Sequence, residues 1–204
     1  MTHRQPFKLS ALALAGLLSA GASSAAERTF AVGGEDKNSN ITFESETDFE
    51  TILGHTNTAT GQVVADLDAG TASIDVRVPV ASLDTGIELR NKHLQSSDWL
   101  DAKKSSEIRF VSRSARKLED GAWEIAGDFS LRGATKALTV RAQVKPIPAE
   151  AAKAAGLGKG DWLCVLAPFE VKLSDFGLEV PQKVAGRVSD TWKMKLNLFI
   201  NAQG

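Results

Sequence analysis

Ser82-Leu-Asp-Thr-Gly-Ile-Glu-Leu-Arg-Asn-Lys-His-Leu-Gln-Ser-Ser-Asp-Trp-Leu-Asp-Ala-Lys-Lys-Ser-Ser-Glu-Ile-Arg-Phe-Val-Ser112 drops one short polar helical segment between two alternating strands. Upstream, Thr71 to Val80 puts Ala72, Ile74, Val76, Val78 and Val80 on one face and Ser73, Asp75 and Arg77 on the other, the period of a half-buried strand. Downstream, Ile108 and Phe110 resume that alternation. Between them, Ile87 to Gln95 sets Glu88, Arg90, Asn91, Lys92 and His93 around Ile87, Leu89 and Leu94. A segment this polar is a surface connection with one anchoring edge.

The pattern continues outward in both directions. Phe30 and Val32 open a strand, Gly33 to Asn40 is a turn or loop, and Ile41 with Phe43 begins the next element. Thr47 to Leu53 fits a helical turn about as well as an irregular strand. Ala59 to Leu67 alternates weakly, and Asp68-Ala-Gly70 turns the chain into Thr71 to Val80. Trp123, Ile125, Gly127, Phe129 and Leu131 form a five-point alternation, and Arg132 to Thr135 is a tight turn. Leu138, Val140, Ala142 and Val144 follow in phase, ended by Pro146 and Pro148. Ala149 to Gly160 is a flexible insertion with room for one helical turn at Glu150 to Ala155. Leu163 to Leu173 and Trp192 to Ile200 are two further alternating runs. No helical periodicity is long enough for a βαβ unit, so the domain is all-β and antiparallel, with about eight strands and one helical crossover. Barrel and sandwich both satisfy the alternation.

Residues 1–26 read as a signal peptide: a basic start at His3, Arg4 and Lys8, an apolar run from Leu9 to Ala22, and small residues Ser24-Ala-Ala26 before the cut. Residues 27–204 then form a single domain with a sizeable core. Without Arg4 and Lys8 the 24 Lys and Arg fall to 22 against 25 Asp and Glu, a formal charge of −3. That balance attracts neither nucleic acid nor an anionic membrane surface, and the mature chain has no segment for stable membrane insertion. Cys164 is the only cysteine, so the fold relies on its core and not on disulfides, and its apolar setting reads as a buried, inert thiol.

Catalytic chemistry needs a constellation that the sequence lacks. His55 and His93 sit on polar segments with no HExxH motif or cysteine pair, which reads as surface and not as a metal site. There is no Gly-x-Ser-x-Gly elbow. Asp175-Phe-Gly177 reads as a turn, Gly156-Leu-Gly-Lys-Gly160 as a loop, and Asp98 and Asp101 as capping or solvated carboxylates. No catalytic residue, metal or cofactor is expected.

Three ordered stretches carry a family resemblance. They are Ser82 to Ser112, Gly127-Asp-Phe-Ser-Leu-Arg-Gly-Ala-Thr-Lys-Ala-Leu-Thr-Val140, and Ser174-Asp-Phe-Gly-Leu178 followed by Val188-Ser-Asp and the last strand. Together they resemble the YceI family, periplasmic lipocalin-like barrels associated with polyisoprenoids and other long apolar lipids. The chain departs from the family in the polar Lys37 to Phe43 and Glu44 to Thr58, in having no Tyr, and in Ala137 where Pro is common. The resemblance implies a periplasmic or secreted binding protein, with the apolar lipid as its partner. The inward-facing Ile74, Val76, Val78, Ile108, Phe110, Trp123, Ile125, Phe129, Leu138, Val140, Phe169, Val171, Met194 and Leu196 would line the tail, with Arg90, Lys92 and His93 as headgroup contacts. Alternation alone does not separate a hollow barrel from a filled one. Small inward residues such as Ala65, Ala72, Gly127 and Ala142 opposite Phe110, Trp123 and Phe169 favour the hollow one. The alternative is a ligand-free envelope stress or protein-interaction module on the same fold; its oligomeric state is open.

Overall fold

The alternating runs become ten strands in the computed structural model, which describes residue 1, residues 27–33 and residues 38–202. The expected signal peptide, Met1 apart, and residues 34–37 of the first loop lie outside the described residues. In chain order the elements are β1 (Arg28–Val32), β2 (Asn40–Glu46), β3 (Thr51–Thr56), β4 (Thr60–Asp66), β5 (Thr71–Pro79), α1 (Glu88–Leu94), β6 (Glu107–Lys117), β7 (Trp123–Leu131), β8 (Ala134–Ile147), α2 (Ala149–Ala154), β9 (Trp162–Lys172) and β10 (Thr191–Ala202). No described helix is long and apolar enough to cross a membrane.

Every ladder is antiparallel, and the order β1-β4-β5-β6-β7-β8-β9-β10 closes on itself through pairing of β10 with β1. One edge of β10 is shared by two strands in succession. Lys193 to Asn197 pair with β2, and Ile200 to Ala202 pair with β1. β3 pairs with β2 as β4 pairs with β1, so ten strands make eight staves, two of them interrupted. The result is a closed eight-stranded antiparallel barrel, which removes the exposed edges that an open sheet would present.

The segment left open between helical turn and strand is a hairpin. Thr47 Oγ1 accepts from the backbone N–H of Phe49 and of Glu50, which tightens the turn and starts β3 at Thr51. Phe49 and Leu53 are left exposed, so the apolar spacing that suggested a helical turn reflects no buried helix face. The crossover is α1, but only Leu94 anchors it; Ile87 and Leu89 are exposed. Asn91 fixes its approach, its Oδ1 accepting from Thr85 and its Nδ2 donating to Asp84. Arg132, in the two-residue β7–β8 turn, then donates to three main-chain carbonyls, those of Trp99, Gly177 and Ser97. That single guanidinium ties the crossover and the Leu173–Phe176 helical turn to one end of the barrel.

Phase in β6 is corrected by a bulge. Ser112 pairs with Gly127 and Ser114 with Ala126, so Arg113 is the extra residue, and the inward set steps from Phe110 and Ser112 to Ala115. The inward Ser112 hydroxyl accepts from Ile74 N–H where the β5–β6 register is irregular. Opposite the bulge, a Cβ on Gly127 would lie 2.4 Å from the Val111 carbonyl oxygen and 2.6 Å from the Phe110 ring. Gly127→Ala is expected to lower stability by about 1–3 kcal/mol, the cost of overpacking a closed ladder. Urea unfolding midpoints of wild type and variant check this.

On the outer face, Asp75 receives a two-pronged contact from Arg109, at 2.9 and 2.7 Å, and a weaker one from Arg77. The Arg109 hydrogen bonds hold its carboxyl at about 2, below the ordinary carboxylate range. A depressed folded-state pKa means that this contribution is present above the unfolded carboxylate range, near pH 4, and is lost as pH falls toward 2. Asp75→Asn should flatten the pH dependence of stability in that window and cost about 1 kcal/mol at neutral pH. Thermal unfolding followed from pH 7 to pH 2 tests both.

Candidate functional site

The fully buried side chains fall into two clusters. The larger includes Leu100, Leu131, Leu173 and Leu178 near the crossover and Phe30, Leu163 and Ile200 toward the other end; the smaller holds Ala115, Trp123, Ile125, Val140, Ala142 and Ala167. Residues of both clusters line an apolar cavity of about 150 Å³. Its walls explain its existence. Ile74, Phe110, Leu138, Val144, Val165, Phe169, Met194 and Leu196 face inward yet are only half-buried, so nothing fills the space in front of them. Small residues sit among them, Ala65, Ala72, Ala142 and Ala167, and shorten the reach of the wall. The barrel is therefore hollow at its middle and packed at the crossover end.

Thirteen of the fourteen residues assigned to the tail site from phase line this cavity. The exception is Val171. It is buried beside Trp192 on the neighbouring strand, beyond the cavity, because β9 continues toward the packed crossover end of the barrel. Phase placed Val171 on the correct face but carries no information about depth along the barrel axis. The same alternation extends to wall residues outside the tail-site set, among them Val32, Ile41, Val63, Leu163, Leu198 and Ile200.

The basic residues of the crossover stand elsewhere. Arg90 and His93 line a second space, a cleft of about 480 Å³ between α1, the β2–β3 hairpin and residues 181–188. Lys92 does not reach it; its ammonium pairs with Glu88 one helical turn back at 2.7 Å, on the exposed side of α1. The three residues are near neighbours in sequence, but the 100° step of a helix turns Lys92 away from the other two. Sequence reasoning missed Glu50, Lys183 and Arg187, which lie in turns and a three-residue helical turn too short for any periodicity to report a facing direction. Glu50 is the hub of the cleft, accepting from Arg187 Nε at 2.6 Å and lying 3.7 Å from Arg90.

Along β2 and β10 the cavity wall gives way to an aromatic pair. Ile41 and Met194 line the cavity, while Phe43 and Trp192, the next inward positions on β2 and β10, line the cleft. The two rings stack with centroids 4.9 Å apart and planes inclined by 14°. Gly54 makes room for the pair, since a Cβ there would lie 2.1 Å from Phe43 Cζ. Stacking contributes about 0.5–1.5 kcal/mol beyond area burial. Against it stands the Trp192 indole N–H, buried without an acceptor, a deficit of about 1–3 kcal/mol.

Other candidates keep modest roles. Cys164 points to the outer face and is half-buried, not fully buried as its apolar neighbours suggested, because Leu163 takes the inward place. Burial still raises its thiol pKa, so it stays protonated. His55 lies on β3, bridged through its backbone to Asp84. Asp175-Phe-Gly177 belongs to a helical turn closed by Gly177 in the left-handed region. Among the described residues, no group of three or more His, Cys, Asp or Glu could hold a metal ion.

This architecture has known counterparts. The model of the YceI-like domain matches residues 35–200. A UPF0312 protein of Pseudomonas savastanoi pv. phaseolicola is 32% identical over 203 residues, covering 96% of this chain and 95% of that protein. A UPF0312 protein of Shewanella sp. (strain ANA-3) is 30% identical over 178 residues, covering 84% and 87%. Among solved structures, Burkholderia cenocepacia BcnA superposes with a TM-score of 0.67 at 21% identity, over 79% of this chain and 95% of that one. A polyisoprenoid binding domain from Saccharophagus degradans superposes with a TM-score of 0.61 at 14% identity, over 87% and 100%. The two solved structures share the barrel, and the sequence matches extend the likeness to the whole domain. With its family model spanning the barrel from the first loop to the closing strand, the chain belongs to the YceI-like domain family.

Proposed function

We propose that this chain is an exported, soluble binding protein that sequesters or carries a long apolar lipid, of polyisoprenoid or fatty-acyl type, in the barrel interior. The observation that carries this reading is a wall of inward apolar side chains left half-exposed around an unfilled cavity. An engineered apolar cavity of about 150 Å³ stays dry and admits benzene, so a space of this kind is a site for hydrocarbon and not for water. Each methylene moved into it from water contributes about 0.8 kcal/mol. A ligand-free interaction module on the same fold calls for a filled centre, which the cavity argues against. The polyisoprenoid binding domain sharing this fold supports the choice of ligand class. A binding role also accords with walls that carry apolar side chains and no facing acid–base pair.

Export rests on the amino-terminal segment, whose basic start, apolar run and Ser24-Ala-Ala26 suit cleavage after Ala26 and release into the periplasm or medium. Native mass spectrometry and lipid extraction of protein isolated from its own cell envelope test the whole reading. The expected result is a mature species beginning at Glu27 with a copurifying long-chain lipid; protein free of lipid that also binds no long-chain probe overturns it.

Filling the cavity should separate binding from folding. Ile74→Trp and Leu138→Trp place bulk where the wall faces empty space, so stability should change by less than about 1.5 kcal/mol. Affinity for a long-chain probe should fall by about tenfold or more, the equivalent of losing two buried methylenes. Paired denaturation and fluorescent-probe titrations measure the two effects.

A further inference from the structure

The cavity is smaller than the chains it is read to hold. A dry apolar space of about 150 Å³ is filled by a molecule the size of benzene. A long apolar chain needs several times that room, so interior that is now solid has to become available. The strands cannot supply it, because ladders on both sides fix each inward side chain at its height. The segments that close the crossover end can. Leu94, Leu100, Leu173, Phe176 and Leu178 are buried side chains of helical turns and loops, carried outside the sheet. They reach the cavity wall directly: the Phe176 ring meets Phe129, a wall residue, edge to face with centroids 5.7 Å apart.

One side chain fastens these segments to the barrel. Residues 96–101 otherwise hydrogen-bond within the crossover, and Gly177 and Leu178 within their own turn. Arg132 joins both groups to the β7–β8 turn, donating from Nε to the Trp99 carbonyl at 2.6 Å, from Nη2 to Ser97 at 3.1 Å and from Nη1 to Gly177 at 2.9 Å. Leu173 and Ser174 are held separately, by Asp190, which leaves the helical turn a root about which its far end can swing. Arg132 also stands in left-handed backbone, with φ 53°, where Asn or Gly is the easier choice. Breaking its three bonds would free the closing segments without costing the sheet a single ladder bond.

We propose that these segments are a displaceable plug and that Arg132 is its latch. A chain longer than the cavity pushes residues 96–101 and 176–178 off the barrel end, breaking the Arg132 bonds and adding the plug's space to the interior. This rests on the lipid-binding reading of the barrel and adds to it how chain length is discriminated. Arg132 touches no ligand; it is a positioning residue that keeps the plug seated over an empty cavity or a short chain. A long chain binds only the displaced state, so its affinity is reduced by the strength of the latch, whereas a short chain binds with the latch intact.

Prenol and farnesol share a head and differ by two isoprene units, and titrating each into the mature protein tests this. Arg132→Asn removes the guanidinium and keeps a residue that accepts the left-handed backbone. It should tighten farnesol by about tenfold, the worth of one charge-assisted hydrogen bond, and leave prenol within about twofold. An arginine that only stabilised the fold would weaken both alcohols on removal. Hydrogen exchange of the wild-type protein gives a second readout that needs no variant. Farnesol should speed exchange of the amides of residues 96–101 and 176–178 while slowing that of the barrel strands, and prenol should leave the plug amides unchanged. Farnesol affinity unchanged or lowered in a folded Arg132→Asn protein, an equal gain for prenol, or plug amides that farnesol leaves unchanged or slows would overturn the latch while leaving the barrel as a lipid site. Failure of both alcohols to bind the wild-type protein would remove the lipid-binding reading itself, and the latch with it.

Discussion

Closure of the sheet through β10 is the constraint on which the rest depends. Along one edge β10 pairs with β9 over its length, and along the other it is met by β2 and then β1. Two interrupted strands thereby do the work of one stave, and every stave has neighbours on both sides. A ring of eight strands has a diameter set by strand number and stagger and not by what stands inside it. The main chain is satisfied by its neighbours whether or not the centre is filled, so this architecture tolerates a void that a layered core would collapse onto.

Given that ring, side-chain size along each inward face decides where the interior is solid. Near the crossover, Leu100, Leu131, Leu173, Phe176 and Leu178 come from turns and helical segments as well as strands, and together they close the end. Elsewhere the inward side chains come mainly from strands, alanines interrupt the larger ones, and the space between the walls remains open. Arg132 couples the two regimes, since its contacts to Ser97, Trp99 and Gly177 hold the closing segments against a turn of the barrel itself. The Phe43–Trp192 pair marks the boundary between cavity and cleft, with Gly54 behind it giving the Phe43 ring its place.

The strand map was largely legible because a two-residue period reports facing direction wherever one side is dry. That is why β5, β7, β8 and β10 appear in the sequence with their inward sets correct, and why thirteen of the residues read as inward lie on one cavity wall. Legibility fails where the period breaks. The β2–β3 hairpin was ambiguous since Phe49 and Leu53 are exposed apolar residues whose spacing imitates a helix. Lys92 stands next to His93 in sequence, but adjacency on a helix does not give a shared face. Val171 shares its face with the wall residues and differs only in height, and Cys164 differs from its neighbours only in parity.

From sequence alone, the all-β antiparallel class, the single crossover, the strand phases and the resemblance to YceI-like barrels could all be established, because each depends on local period or on an ordered motif. Three matters waited for the tertiary structure: that the ring closes through two broken staves, that its middle is empty, and that a cleft with Glu50, Lys183 and Arg187 lies beyond an aromatic pair. All three depend on distances between residues far apart in the chain, and a facing pattern, which records only in or out at each position, contains no such distance.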